Sequence, residues 1–85
     1  MNDAINVIVK LFAAYQEAYG VSELRWQFPP QTPVSAVRDR CLTDYPELQT
    51  WGKLTRFGIN LQFVAPETPL QDGDEVVLIP PVSGG

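Results

Sequence analysis

The apolar residues of this chain change period along its length, and that change constrains the fold more than any other feature. From Ile5 to Phe12 they alternate, with Ile5, Val7, Val9 and Leu11 on one face and Asn6, Ile8, Lys10 and Phe12 on the other. A period of two predicts a strand. Ser22 to Phe28 alternates again, setting Leu24, Trp26 and Phe28 against Glu23, Arg25 and Gln27. The short apolar run Val76 to Ile79 predicts a buried last strand. In between, Val34, Val37, Cys41 and Leu48 fall near one helical face, while Arg38, Asp39 and Arg40 fall off it.

Punctuation residues divide these runs. Ala13 to Tyr19 is rich in helix formers and closes at Gly20, a suitable left-handed C-terminal residue for a short helix. Pro29 and Pro30 stop the second strand, since proline donates nothing to a ladder. Thr32 before Pro33 predicts the cap and first turn of the main helix, which Pro46 ends or bends. Residues 49–58, with Gly52 and Gly58, predict an irregular connection carrying Trp51, for which the sequence suggests no place. Ile59 to Val64 predicts a third strand, followed by turn residues Pro66 and Pro69 and a tight Asp72-Gly73-Asp74 turn. The order strand, short helix, strand, long helix, strand, strand predicts an α+β domain with its helix on one face of a mixed sheet. There is no internal repeat and no linker.

Composition narrows the function classes. A chain of 85 residues forms one domain, burying ~60–65 % of the surface its unfolded state exposes. Ten acidic residues against six basic ones give a net charge of −4, so the positive field that a nucleic-acid backbone requires is missing. The basic residues are scattered, and no run approaches the ~20 apolar residues of a membrane span. With no His and one Cys, side chains for general-base, nucleophilic or zinc chemistry are nearly absent. A lone cysteine and the lack of a basic leader segment predict a cytoplasmic protein without disulfides. Cys41 sits on the apolar helix face and is expected to be a buried structural thiol. Asp72, Asp74 and Glu75 are expected to form a solvated turn, not a cation site.

The chemistry concentrates at the end: Pro80, Pro81, Val82, Ser83, Gly84 and Gly85. The prolines hold the exit from the last strand extended, and the two glycines make a tail thin enough for a narrow channel in another protein. A bare carboxylate is a poor electrophile because its charge and resonance oppose attack. Adenylation gives it a leaving group, after which a sulfur donor converts Gly85 to a thiocarboxylate, a soft nucleophile. A glycine-rich end also occurs as a frayed tail without a role; a tail following directly from a buried strand favours the functional reading.

The stretch Pro69, Leu70, Gln71, Asp72, Gly73, Asp74, Glu75, Val76 and then Pro80 to Gly85 closely resembles the end of the small subunits of molybdopterin synthase. The likeness extends to Leu11, Phe12, Ala13, Glu17 and Gly20 near the start and to Ile59 and Asn60; residues 21–58 match only in pattern. Gln16 stands where that family often has an arginine.

The resemblance implies a ubiquitin-like β-grasp domain over residues 1–81 and a flexible tail over 82–85. It further implies that Gly85 is the working residue, with Gly84 and Ser83 entering the partner's pocket. Phe12, Phe63 and Ile79 match the apolar patch that family members present to partners, and alternation independently places Phe12 opposite the core residues Val7, Val9 and Leu11. For Phe63 and Ile79 a place in the core is an equal alternative. The implied partners are the large synthase subunit, in a heterotetramer, and an ATP-using adenylating enzyme. No cofactor is bound by the chain itself, and the catalytic side chains belong to the partners. The product is the dithiolene of molybdopterin, made from a cyclic pyranopterin precursor. Three other readings share the same sequence: a carrier for thiamin thiazole synthesis, a protein modifier joined to lysines through Gly85, and a plain interaction module.

Overall fold

The computed structural model describes residues 4–81. Five strands form one mixed sheet: β1 (Ile5–Leu11), β2 (Glu23–Phe28), β3 (Arg56–Ile59), β4 (Gln62–Val64) and β5 (Glu75–Ile79), in the order β2-β1-β5-β3-β4. β5 is central, parallel to β1 and antiparallel to β3. Three helices accompany the sheet: α1 (Ala13–Tyr19), α2 (Ser35–Asp44) and α3 (Gln49–Gly52), with a 3-10 turn at Pro46–Leu48 before the last. This is the expected α+β architecture. No helix among the described residues is long and apolar enough to cross a membrane.

The register explains the core. Val7 pairs with Trp26, Val9 with both Leu24 and Val76, Leu11 with Leu78, and Leu78 with Phe57. Pleating sends all of these side chains to one face, where Tyr15 of α1, Val37 and Cys41 of α2, Leu48 and Leu70 close over them. Fully burying each such aliphatic side chain contributes about 1.5–3 kcal/mol. Trp26 and Tyr19 seal the β2 edge with rings at 5.9 Å, and the Arg40 guanidinium lies 4.1 Å from the Trp26 ring centre. Gly20 adopts φ 74° and donates its N–H to the Gln16 carbonyl, ending α1 as its sequence predicts.

Five expectations are corrected. The main helix begins at Ser35 instead of Pro33, because the backbone around Thr32 is occupied elsewhere. Thr32 accepts a hydrogen bond from the Leu70 N–H, and Val34 gives its own N–H to Thr68. Thr32 Oγ1 donates to the Pro29 carbonyl and caps nothing. Leu48 is buried, but in the 3-10 turn and not on the main helix.

The connection after residue 48 is not irregular throughout, since α3 places Trp51 against the core and β3 starts at Arg56. The expected third strand Ile59 to Val64 is the end of one strand, a turn, and another strand. Asn60 (φ 50°) and Leu61 (φ 71°) form a two-residue left-handed turn between the paired Ile59 and Gln62, the geometry that matches strand twist in tight hairpins. A leucine in this region costs about 1–2 kcal/mol.

The Asp72–Glu75 turn is not wholly solvated. Asp74 is buried, with Oδ2 accepting the Gln71 N–H at 2.8 Å and Oδ1 accepting Asn60 Nδ2 at 3.1 Å. Gly73 takes φ 86° at the tip, and Asp72 Oδ1 accepts the Asn6 N–H at 2.8 Å. These carboxylates are structural acceptors, and no group of three or more potential metal ligands occurs among the described residues.

Candidate functional site

The sheet face away from the helices carries the site. Across it runs one row set by strand pairing: Phe63, Gly58, Val77, Lys10 and Glu23. The row changes character along its length. Lys10 Nζ and Glu23 Oε1 pair at 2.6 Å at the β2 end, and the hydrogen bond to Glu23 raises the Lys10 pKa. At the other end Phe63 is 72 % exposed. Between Phe63 and Val77 stands Gly58, which has no side chain, so the face is hollowed there.

The hollow is a groove of about 430 Å³ lined by Phe12, Gly58, Leu61, Gln62, Phe63, Val77 and Ile79. An apolar groove of this kind on a small chain marks a contact surface for another protein. Phe12 is 50 % exposed because β1 ends at Leu11 and the chain turns sharply into α1. Phe12 is extended (φ −133°), and Ala13 follows at φ 50°. Ile79 is half-buried on the same face. The structure therefore brings Phe12, Phe63 and Ile79 together and puts none of them in the buried core.

A second cleft of about 460 Å³ adjoins the first and is lined by Phe12, Ala13, Ala14, Glu17, Trp51, Ile79, Pro80 and Pro81. Phe12 and Ile79 border both hollows. The second cleft lies where the chain leaves β5, so an apolar surface accompanies the backbone from the sheet to Pro81. Ser83, Gly84 and Gly85, the remaining expected site residues, lie outside the described residues.

Cys41 is set apart from this surface. It is buried beneath α2, and burial pushes its thiol up to about 11, leaving it protonated and unreactive near neutrality.

Sequence reasoning missed Leu61, Val77, Gly58 and Trp51 as parts of this surface. The one local signal was Asn60, a left-handed-tolerant residue between apolar neighbours, which marks a turn and hence an exposed tip.

Comparison with known proteins follows the same lines. The ThiS family model matches residues 9–85. The molybdopterin synthase sulfur carrier subunit of Chlamydomonas reinhardtii is 31% identical, the match covering 95% of this chain and 100% of that protein. Among solved structures, the small archaeal modifier protein 1 of Methanosarcina acetivorans is 31% identical with a TM-score of 0.75, over 96% of this chain and 98% of that one. A complex of subunits 1 and 2 of the molybdopterin-converting factor from Helicobacter pylori contains a chain 26% identical with a TM-score of 0.59, over 95% of this chain and 100% of that one.

Proposed function

The chain belongs to the ThiS family, and on that premise we propose that it is the sulfur-carrier subunit of a molybdopterin synthase, with the Gly85 carboxyl as its working group. The observation that carries this reading is the exit of central strand β5 through Pro80 and Pro81 beside an apolar face formed by Phe12, Phe63 and Ile79. That arrangement lets a partner hold the domain by its open face while Ser83, Gly84 and Gly85 reach into the partner's pocket.

The chemistry balances without a catalytic side chain of this protein. Attack of the Gly85 carboxylate on ATP forms an acyl adenylate and releases pyrophosphate. A sulfide-level donor then attacks the acyl carbon and displaces AMP, leaving a thiocarboxylate. In the large subunit the thiocarboxylate sulfur bonds to a carbon of the cyclic pyranopterin precursor as that carbon's bond to oxygen breaks and the oxygen leaves. Hydrolysis of the acyl–sulfur bond returns the carboxylate and leaves the sulfur on the precursor, toward the dithiolene. Adenylation belongs to a separate ATP-using enzyme, transfer belongs to the large subunit in a heterotetramer, and the cycle runs in the cytoplasm.

The test is to mix the thiocarboxylated chain with a large subunit and the precursor and to follow its intact mass. The reading expects loss of the sulfur together with a dithiolene product. Retention of sulfur in a formed complex would contradict it, and turnover only with a thiazole synthase would move the chain to thiamin chemistry.

One observation favours a second reading, as a protein modifier: the likeness to the Methanosarcina acetivorans modifier protein is as high as that to the algal carrier subunit. Under that reading, denatured cell extracts contain higher-mass adducts in which Gly85 is joined to lysine.

A further inference from the structure

Leu61 is 90 % exposed, at the tip of the β3–β4 hairpin, and it holds a left-handed backbone that leucine disfavours. Glycine or asparagine would serve the turn better. Its neighbour Asn60 is fixed by three hydrogen bonds: its N–H to the Glu75 carbonyl at 2.9 Å, its Oδ1 from the Glu75 N–H at 3.0 Å, and its Nδ2 to Asp74 Oδ1 at 3.1 Å. The turn is thus clamped to the start of β5, and Leu61 is presented in one place. No other described residue covers its side chain, so neither turn geometry nor core packing accounts for a leucine.

Leu61 also lines the groove that Phe12, Phe63 and Ile79 border. Because β3 and β5 are antiparallel, with Ile59 opposite Val76 and Arg56 opposite Ile79, the hairpin tip lies at the end of the groove remote from Ile79, where the chain leaves β5.

We propose that Leu61 is a specificity contact, entering an apolar pocket of the large synthase subunit at the end of the groove far from the β5 exit. This rests on the carrier reading above. The large subunit is the occupant the surface favours, since Leu61 continues the face assigned to it and a subunit complex exists for a related converting factor. A strained, clamped and exposed leucine is consistent with a residue retained for binding at the expense of turn stability.

The test uses the full chain with Leu61→Gly and, to separate added flexibility from a lost contact, Leu61→Asn. Thermal unfolding and affinity for the large subunit are measured together, with affinity for the adenylating enzyme as a parallel arm. Both variants are expected to unfold at the parent temperature or above it and to bind the large subunit about tenfold more weakly, a loss of ~1.4 kcal/mol. Affinity unchanged in both variants would overturn the assignment of Leu61 alone. Weakening confined to the adenylating enzyme would overturn the choice of partner, and a lowered unfolding temperature in both would make Leu61 structural. Failure of the parent chain itself to bind the large subunit would overturn the carrier reading and this inference with it.

Discussion

The Tyr15 hydroxyl lies 2.7 Å from Thr55 Oγ1, buried between α1 and the segment leading into β3. Thr55 Oγ1 donates its proton to the Trp51 carbonyl at 2.8 Å, so Tyr15 is the donor of the pair. The bond ties the helix that carries Ala13, Ala14 and Glu17 to the backbone of Trp51. All of these residues line the cleft beside the exit of β5.

Tyr15→Phe removes this tie but leaves Thr55 its bond to Trp51. The expected cost is about 1 kcal/mol, seen as a fall of ~4–8 °C in the unfolding temperature of a domain this size. An unchanged unfolding temperature would show that the bond does not hold the cleft walls.

The alternation in β1 and β2, the short helix closed by Gly20 and the exposure of Phe12 were legible because each depends on neighbours in sequence. The start of α2 was not, because Thr32 and Val34 give their backbone groups to Leu70 and Thr68, a pairing that no local pattern signals. The Asn60-Leu61 turn was missed because leucine occupies the position where a glycine would have announced it. Val77 and Gly58 became part of the candidate site only through the register that aligns them with Phe63. The placement of Phe63 and Ile79 on the patch rested on resemblance, while their side chains' surroundings required the fold.

Gly58→Ala tests the groove directly. An added Cβ would meet the Gln62 carbonyl at 3.5 Å and Val77 Cβ at 3.7 Å, ordinary contacts, so the fold should keep its stability or gain ~0.5–1 kcal/mol from the lost glycine freedom. Affinity for the large subunit should fall, because the methyl occupies the groove floor. Full affinity would mean that the partner does not enter the hollow.

Phe12→Asp separates an interface role from a core role. With the ring half exposed, unfolding should change little, while association with the large subunit or the adenylating enzyme weakens by about 2 kcal/mol or more. Loss of stability without selective loss of binding would return Phe12 to the core.

Cys41 gives the domain an alkaline limit. Burial raises its pKa from 9.0 to about 11, so between those values the unfolded chain has released a proton that the folded chain retains. Stability is therefore fully present below pH 9 and falls as pH rises toward 11. Burial also raises Tyr15 and Tyr19, which extends the loss to higher pH. Cys41→Ala should flatten the slope of stability against pH in the 9 to 11 window and leave sulfur transfer intact. Loss of transfer at an unchanged unfolding temperature would instead give the thiol a chemical role.

The central claim, that sulfur travels on the Gly85 carboxyl, is tested most directly by the intact mass of the chain after treatment with an adenylating enzyme, ATP and a sulfur donor. Fragmentation then locates the change. The account predicts replacement of one oxygen by sulfur on the fragment containing Gly85, in the parent and in Cys41→Ala alike, and none in a chain extended by one non-cleavable residue beyond Gly85. Sulfur found on Cys41, or gained equally by the extended chain, would contradict it.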